Sequence, residues 1–298
     1  MELSVLGRTG LMVSRMGVGL AEIGGVDPGD QDAAGQILNT ALDEGVNFLD
    51  TAACYGRSEE LIGLTVAHRR ADYVLATKCG HSLDGDAHPA WTAEGVTASI
   101  ERSLRRMKTD HLDLVQLHSC GLDVLQRGEV VDALLRAKEQ GKTRFVGYSE
   151  PNRGDKPAAA WAVESGHFDT LQCSFNIVEQ EARASLFPVA EEHGVGIIVK
   201  RPLAGAAWGA MSSPRPEFDE CFERYRAMSE MGPLAAAPHD PLLLALNFVL
   251  AHPEADTAIV GTRNPLHMQE NLQRMDQCVV LTQELLDELY SRYERMRA

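Results

Sequence analysis

Asn47–Gly63 reads NFLDTAACYGRSEELIG, and the way this stretch is assembled decides the fold. Phe48 and Leu49 form a short apolar run that stops at a carboxylate, Asp50. A loop carrying Tyr55 and Gly56 follows. Ser58, Glu59 and Glu60 then open a helical pattern, with the two acids in the first turn, where the helix dipole favours them. Strand, loop and helix in this order are one half of a β/α repeat. An acid at a strand end and a phenol on the next loop can face one opening together.

The repeat extends in both directions. Upstream, Leu3–Leu6 and Leu11–Val13 flank Gly7-Arg8-Thr9-Gly10 and predict a β-hairpin. Met16-Gly17-Val18-Gly19-Leu20 is a buried strand. Its glycines do not make a dinucleotide fingerprint, because Glu22 stands where G-x-G-x-x-G needs its third glycine. From Asp30 the spacing of Ala34, Ile37, Leu38, Ala41 and Leu42 predicts a helix that ends at Gly45. Downstream, strands are expected at Tyr73–Thr77 (ending at Lys78), Leu112–Leu117 (ending at His118), Thr143–Tyr148 (ending at Ser149), Thr170–Phe175 (carrying Gln172), Gly196–Val199 (ending at Lys200 and Arg201) and Thr257–Val260. Between them lie helical patterns marked by Val96, Ile100, Leu104 and Met107 with Thr92 as N-cap, by Val131, Leu134 and Ala137, by Ala159, Ala162 and Val163, and by Leu186, Val189 and Ala190. The stretch 202–238 breaks the rhythm and reads as a long functional loop with a short helix near Phe222–Met228. Asp240-Pro241 caps the next helix. Helices near His267–Met275 and Thr282–Met296 end the chain.

Eight apolar runs separated by helical patterns predict an α/β fold, a (β/α)8 TIM barrel with an N-terminal β-hairpin and C-terminal helices. Residues 1–298 read as one such domain. An open doubly wound sheet is the alternative that strand spacing leaves open.

Composition narrows the function. The 298-residue chain carries a net charge of −15, which repels phosphate backbones and argues against nucleic-acid partners. Its six cysteines include no C-x-x-C pair and read as reduced thiols of a cytoplasmic protein. The N-terminus is too polar for a secretory signal, and no apolar run approaches the ~20 residues of a membrane span.

In a barrel the active site gathers at the C-terminal strand ends. The polar groups expected there are Asp50, Lys78, His118, Ser149, Gln172, Lys200 with Arg201, and Thr262 with Arg263. A buried lysine beside an aspartate forms a charge pair. A phenol near that ammonium is expected to titrate below the usual ~10, ready to protonate a developing alkoxide. A histidine opposite can hydrogen-bond the same oxygen. This equipment suits carbonyl reduction and requires a hydride-donating cofactor. His81 and His88 follow Lys78 on the next loop. With His118 they suggest a metal, but there is no HExxH or close histidine pair, so no metal is expected. Cys54 reads as a small buried filler.

DTAACYG with SEELIG, LATKCG and VQLHS, in this order and separation, resemble the aldo-keto reductase family. The resemblance runs from about Leu6 to Met275. It implies a (β/α)8 barrel, a nicotinamide cofactor at the C-terminal mouth, usually NADPH with NADH as a possible substitute, and no metal. By the same resemblance Asp50, Tyr55, Lys78 and His118 match the catalytic tetrad, with Asp50 also beside the nicotinamide. GYSEPN resembles the segment holding the carboxamide. Ser149 fits it, Glu150 stands where the family has asparagine, and Gln172 matches the other carboxamide contact. Lys200 occupies the position often given to a stacking aromatic. Arg201, Pro202 and Leu203 resemble the pyrophosphate segment. IVGTRNPLHMQEN resembles the adenosine-phosphate segment, with Gly261, Thr262, Arg263, His267, Glu270 and Asn271 in the matching places. Glu22, Trp91 and Trp208 are expected around the substrate.

The implied function is an NADP(H)-dependent oxidoreductase passing a hydride between nicotinamide and an aldehyde, ketone, sugar or alcohol, with Tyr55 as general acid/base. The expected partner is a small-molecule carbonyl or alcohol. The alternatives are a nicotinamide-binding regulatory or redox-sensing subunit with little turnover, and a metal-dependent hydrolase using Asp50 and the histidines.

Overall fold

The structure is a computed structural model that describes residues 1–25, 31–151, 156–277 and 279–298. The helix start expected at Asp30, Asn152 of GYSEPN, and Cys278 lie outside the described residues.

Strands β1 (Leu3–Val5) and β2 (Met12–Ser14) form the expected antiparallel hairpin, with Leu3 opposite Ser14. The next eight strands run parallel. They are β3 (Met16–Gly19), β4 (Phe48–Asp50), β5 (Val74–Cys79), β6 (Leu112–His118), β7 (Thr143–Ser149), β8 (Thr170–Ser174), β9 (Gly196–Lys200) and β10 (Thr257–Gly261). They follow one another around a closed barrel, and β10 pairs with both β9 and β3, Ala258 lying opposite Met16. That last pairing rules out the open sheet. Each strand has helices outside it and the barrel core inside it, so β5 is buried at all six positions. Burial on both faces is why these strands read as continuous apolar runs.

The helices are α1 (Gln31–Asp43), α2 (Ser58–Thr65), α3 (Ala93–Met107), α4 (Leu122–Arg127), α5 (Glu129–Glu139), α6 (Lys156–Glu164), α7 (Glu181–Ser185), α8 (Phe187–His193), α9 (Asp219–Ser229), α10 (Pro241–Leu250), α11 (Pro265–Asp276) and α12 (Gln283–Arg297). Ala34, Ile37, Leu38, Ala41 and Leu42 are the buried face of α1, as their spacing requires. Thr92 caps α3, accepting from Gly95 N, and Asp240 caps α10, accepting from Leu242 N and Leu243 N. The pattern around Leu186–Ala190 is two helices rather than one. Pro188 lies in the first turn of α8, where its missing N–H is tolerated, and a helix running through from α7 would need that donor. The six residues of α4 are too few to give a periodic signal, and the sequence reading passes over them.

The hairpin seals the N-terminal end of the barrel. Leu6, Leu11 and Val13 pack on Phe48, Val74, Ala76, Leu114 and Ile198 in a small separate core. Gly7 N donates to Asp256 Oδ2 (3.2 Å), and Arg8 donates to Phe168 O (2.8 Å), tying the hairpin to the starts of β10 and β8.

The segment 202–238 is more ordered than its composition suggests. It holds short 3₁₀ turns at Ala204–Ala206 and Pro216–Phe218, and then α9. The C-terminal helix secures it. Arg292 of α12 is buried and donates to Met228 O (3.1 Å), Gly232 O (2.6 Å) and Pro233 O (3.2 Å) while pairing with Glu288. Among the described residues no helix is long and apolar enough to cross a membrane.

Candidate active site

Asp50 ends β4 and lies opposite Ala76 of β5 in the sheet register. Lys78 is two residues beyond Ala76 and so points the same way. Both side chains are almost fully buried, at 1% exposure each. Lys78 Nζ donates to Asp50 Oδ2 (2.5 Å) and to Thr51 O (3.0 Å). Burial alone would push the lysine down. The Asp50 carboxylate, with Tyr55 and Cys54, outweighs burial and raises it, so the ammonium stays charged. The other oxygen of Asp50 accepts from Gln116 Nε2 (3.2 Å) and Gln172 Nε2 (2.9 Å). A buried carboxylate needs such partners. Gln116 supplies one from the middle of β6, and sequence reading did not single it out. The signal was a lone amide inside the apolar run LVQLH.

Tyr55 hangs on a loop folded tightly over this pair. Tyr55 N donates to Ala52 O (3.0 Å), and Ser58 N donates to Tyr55 O (2.9 Å). The loop also lies against the turn after β3, where two glycines interlock. A Cβ on Gly24 would come within 1.9 Å of Tyr55 O, and one on Gly56, whose φ is +50°, within 2.4 Å of Gly24 O. Glu59, 1% exposed in the first turn of α2, holds the loop from beneath. It accepts from Thr77 Oγ1 (2.8 Å) and Arg106 Nη1 (3.3 Å), and the same Arg106 nitrogen reaches Ala53 O (3.2 Å). The first-turn dipole reading of Glu59 gave no hint of this buried role.

The Lys78 ammonium lies 5.1 Å from the centre of the Tyr55 ring. The expectation that this neighbour lowers the phenol is not met. Burial raises Tyr55 above its usual value, and Asp50 adds to that. Lys78 pulls the other way without reversing it. Tyr55 is therefore protonated throughout the neutral range.

His118, at the end of β6, meets Tyr55 edge-on with ring centres 5.6 Å apart. Burial, helped by Lys78, His81 and Lys200, lowers its imidazole to about 2, so the ring is neutral. Cys54 Sγ lies 3.3 Å from His118 Nδ1. Burial raises the Cys54 thiol, which therefore keeps its proton. The assignment that satisfies both groups has S–H donating to Nδ1, which leaves the imidazole proton on Nε2. His81 packs edge-on against both His118 and Trp91, at 4.9 Å in each case. Trp91 lies against Gly80, whose missing side chain makes room for the indole.

The strand ends beyond these residues carry the sequence-predicted cofactor groups. Ser149 Oγ donates to Gln172 Oε1 (3.0 Å), so the two expected carboxamide contacts are adjacent and linked to Asp50 through Gln172. Ser174, next along the mouth, has a buried hydroxyl with no hydrogen-bond partner among the described residues. Glu150 turns inward. Its carboxyl accepts from Ser174 N (2.8 Å) and is raised by burial. Lys200 is buried, donates to Glu150 O, and is lowered by burial to about 8. Arg201 has φ +58°, donates to Glu179 Oε1 (3.1 Å) and leads into Pro202 and Leu203.

Across the mouth, Gly261 ends β10. Thr262 Oγ1 accepts from Asn264 N (3.0 Å), Arg263 is exposed, and Asn264 caps α11 by accepting from Leu266 N (3.0 Å). A capped helix N-terminus beside an arginine is suited to a phosphate. His267 and Glu270 are exposed along α11. Asn271 is buried and accepts from Arg274 Nη1 (3.2 Å), while Arg274 also pairs with Asp240 (2.7 Å). From the segment 202–238, Arg215 reaches back to Glu22 (2.9 Å) and lies over Phe218. Sequence reading missed Arg215 and Arg274, since nothing local marks either. Trp208 is buried, with its ring against Tyr225 at 5.0 Å. These hydroxyl, amide and helix-end groups form a donor set that fits a dinucleotide with a carboxamide at one end and phosphate at the other.

A closed parallel barrel with a buried Lys–Asp pair, a protonated phenol and a neutral imidazole at its C-terminal mouth defines a class of redox barrel. The chain belongs to the aldo/keto reductase family, whose model matches residues 15–293, and it is an oxidoreductase. Members of this family typically bind a nicotinamide cofactor. The chain is similar to L-galactose dehydrogenase of Arabidopsis thaliana, at 31% identity over 91% of this chain and 87% of that one. It is also similar to a probable voltage-gated potassium channel subunit beta of the same plant, at 27% identity over 97% and 95%. Among solved structures, the holo form of aldo-keto reductase AKR11C1 from Bacillus halodurans superposes with a TM-score of 0.81 at 26% identity, covering all of both chains.

Proposed function

We propose that the protein interconverts a carbonyl compound and its alcohol with NADP(H), using Tyr55 as general acid in the reduction and general base in the reverse direction. When bound, the nicotinamide supplies or takes up the hydride. The observation that carries this reading is a phenol kept protonated by burial directly beside the Lys78–Asp50 pair. As an alkoxide forms on the substrate, the nearby ammonium stabilises the phenolate that Tyr55 becomes, so proton transfer is eased at the moment it occurs. The Nε2 proton of His118 hydrogen-bonds the same substrate oxygen and orients it, with Cys54 fixing the tautomer. Gln116 and Gln172 hold the Asp50 side chain in place through its other oxygen.

Ser149 and Gln172 would hold the carboxamide. Thr262, Arg263 and the N-terminus of α11 would hold the adenosine phosphate, which supports NADP over NAD. The completeness of the proton-donating set favours turnover over a purely cofactor-sensing role.

The test is Tyr55→Phe. It should lower kcat by about 10³-fold, while quenching of protein fluorescence shows NADPH still binding, and binding more tightly than NADH. Undiminished turnover in this variant would refute the assignment.

A further inference from the structure

One cluster at the mouth has chemistry beyond carbonyl reduction. Cys54, His81 and His118 arrive from the ends of three consecutive barrel strands, and one ligand atom from each lies within 4.8 Å of the others. We propose that these three residues form an inhibitory binding site for a thiophilic divalent transition metal, zinc foremost, on the Nδ1 side of the imidazole whose Nε2 proton receives the substrate oxygen.

The ligand set is one sulfur and two imidazoles, with a fourth position left for water, a pattern that suits tetrahedral zinc. Zinc bond lengths of about 2.3 Å to sulfur and about 2.0 Å to nitrogen place tetrahedral neighbours roughly 3.5 Å apart. Cys54 Sγ and His118 Nδ1 are already 3.3 Å apart. Only His81 has to close in, and it stands on the loop just after β5, partly open to solvent. Its ring is also prepared for the task. It is braced edge-on by Trp91 on one side and His118 on the other, at 4.9 Å each.

Lys78 and Lys200, the charges that help lower His118, act against a cation here, and the site has to offset them. The charge of Lys78 is matched by Asp50 at 2.5 Å. On binding, the S–H bond of Cys54 breaks, its proton goes to solvent and a sulfur–metal bond forms, so the thiolate offsets part of the ion's charge. No electron moves. The ion and its water then occupy the space beside His118, and His118 Nδ1 is bonded to metal instead of accepting from the thiol. Inhibition should compete with the carbonyl substrate and leave NADPH binding intact. The inhibitory part rests on the proposed reductase activity; the metal site itself does not.

Chelator-treated protein titrated with Co²⁺ tests the site without any turnover. A thiolate-to-cobalt charge-transfer band should saturate at one equivalent, disappear in Cys54→Ser and require at least about tenfold more cobalt in His81→Ala. Zn²⁺ should abolish the band by displacement. In the activity arm, each variant is compared with itself with and without Zn²⁺, so changes in its own rate cancel. Zinc should raise the apparent KM for the carbonyl in the wild type, and half-inhibition of either variant should need at least about tenfold more zinc. Absence of the band, or its survival in Cys54→Ser, overturns the site. Binding without inhibition of a turning-over enzyme overturns its inhibitory role. A protein that binds cobalt as described yet reduces no carbonyl keeps the site and counts against the proposed function instead.

Discussion

Tyr55 and His118 show how one buried environment sets two groups for different tasks. Both are desolvated, and desolvation favours the neutral form of each. The phenol is raised and stays an acid, while the imidazole falls to about 2 and stays uncharged. The consequence for His118 has a definite sign. Its folded value lies below its unfolded value of about 6.5, so below that pH the unfolded chain binds a proton that the folded one does not. The stability contribution is complete above about pH 6.5 and is lost as pH falls toward 2. Between pH 7 and pH 5 it should shrink by about 2 kcal/mol. In chelator-treated protein the His118 ring resonances should stay constant from pH 5 to 8, and His118→Asn should lose less stability over that interval than the wild type. A His118 resonance titrating near pH 6.5 would contradict the burial reading.

The residues legible in the sequence share one property. Asp50, Lys78 and His118 are polar groups at or near the ends of apolar runs, where a barrel turns side chains to its mouth. Gln116 carried a similar mark, but inside its run rather than at the end. Its value depends on Asp50 across the barrel, a contact made between residues 66 apart in the chain. The direction of the Tyr55 shift was also beyond the sequence, because the spacing shows the nearby lysine and not the depth of burial.

At the level of elements, the loop from β4 to α2 is positioned by what it leans on. Its own residues supply turns, but Gly24 from the preceding β/α unit fixes its height. Gly24→Ala would bring a methyl group to 1.9 Å from Tyr55 O, which only a shift of the loop can relieve. We expect kcat to fall at least tenfold and stability by about 1–3 kcal/mol, with the far-ultraviolet circular dichroism unchanged. Steady-state kinetics and urea denaturation read the two effects, and wild-type kcat in this variant would show that the loop tolerates displacement. The strands and the longer helices were legible because period and burial agree in them. The α7–α8 break was not, since both sides of Pro188 keep an apolar face. The order within 202–238 was hidden as well, because its anchor, Arg292, comes from the end of the chain.

That anchor acts at the scale of the whole molecule. Arg292 satisfies three backbone carbonyls around the end of α9, and removing it leaves buried acceptors without a donor. Arg292→Leu should cost about 3 kcal/mol, seen as a lower urea midpoint, since each lost acceptor costs about 1–3 kcal/mol. An unchanged midpoint would mean that water replaces the guanidinium at no cost. The barrel itself holds a further consequence. Its seam is closed by β10, the last strand of the barrel, which pairs with β3 near the start of the chain. During synthesis the growing chain therefore carries an open row of backbone groups along β3 until Thr257–Gly261 has left the ribosome. Nascent chains arrested short of that point should be cut by proteases that spare the released protein, and they should be the form that chaperones hold.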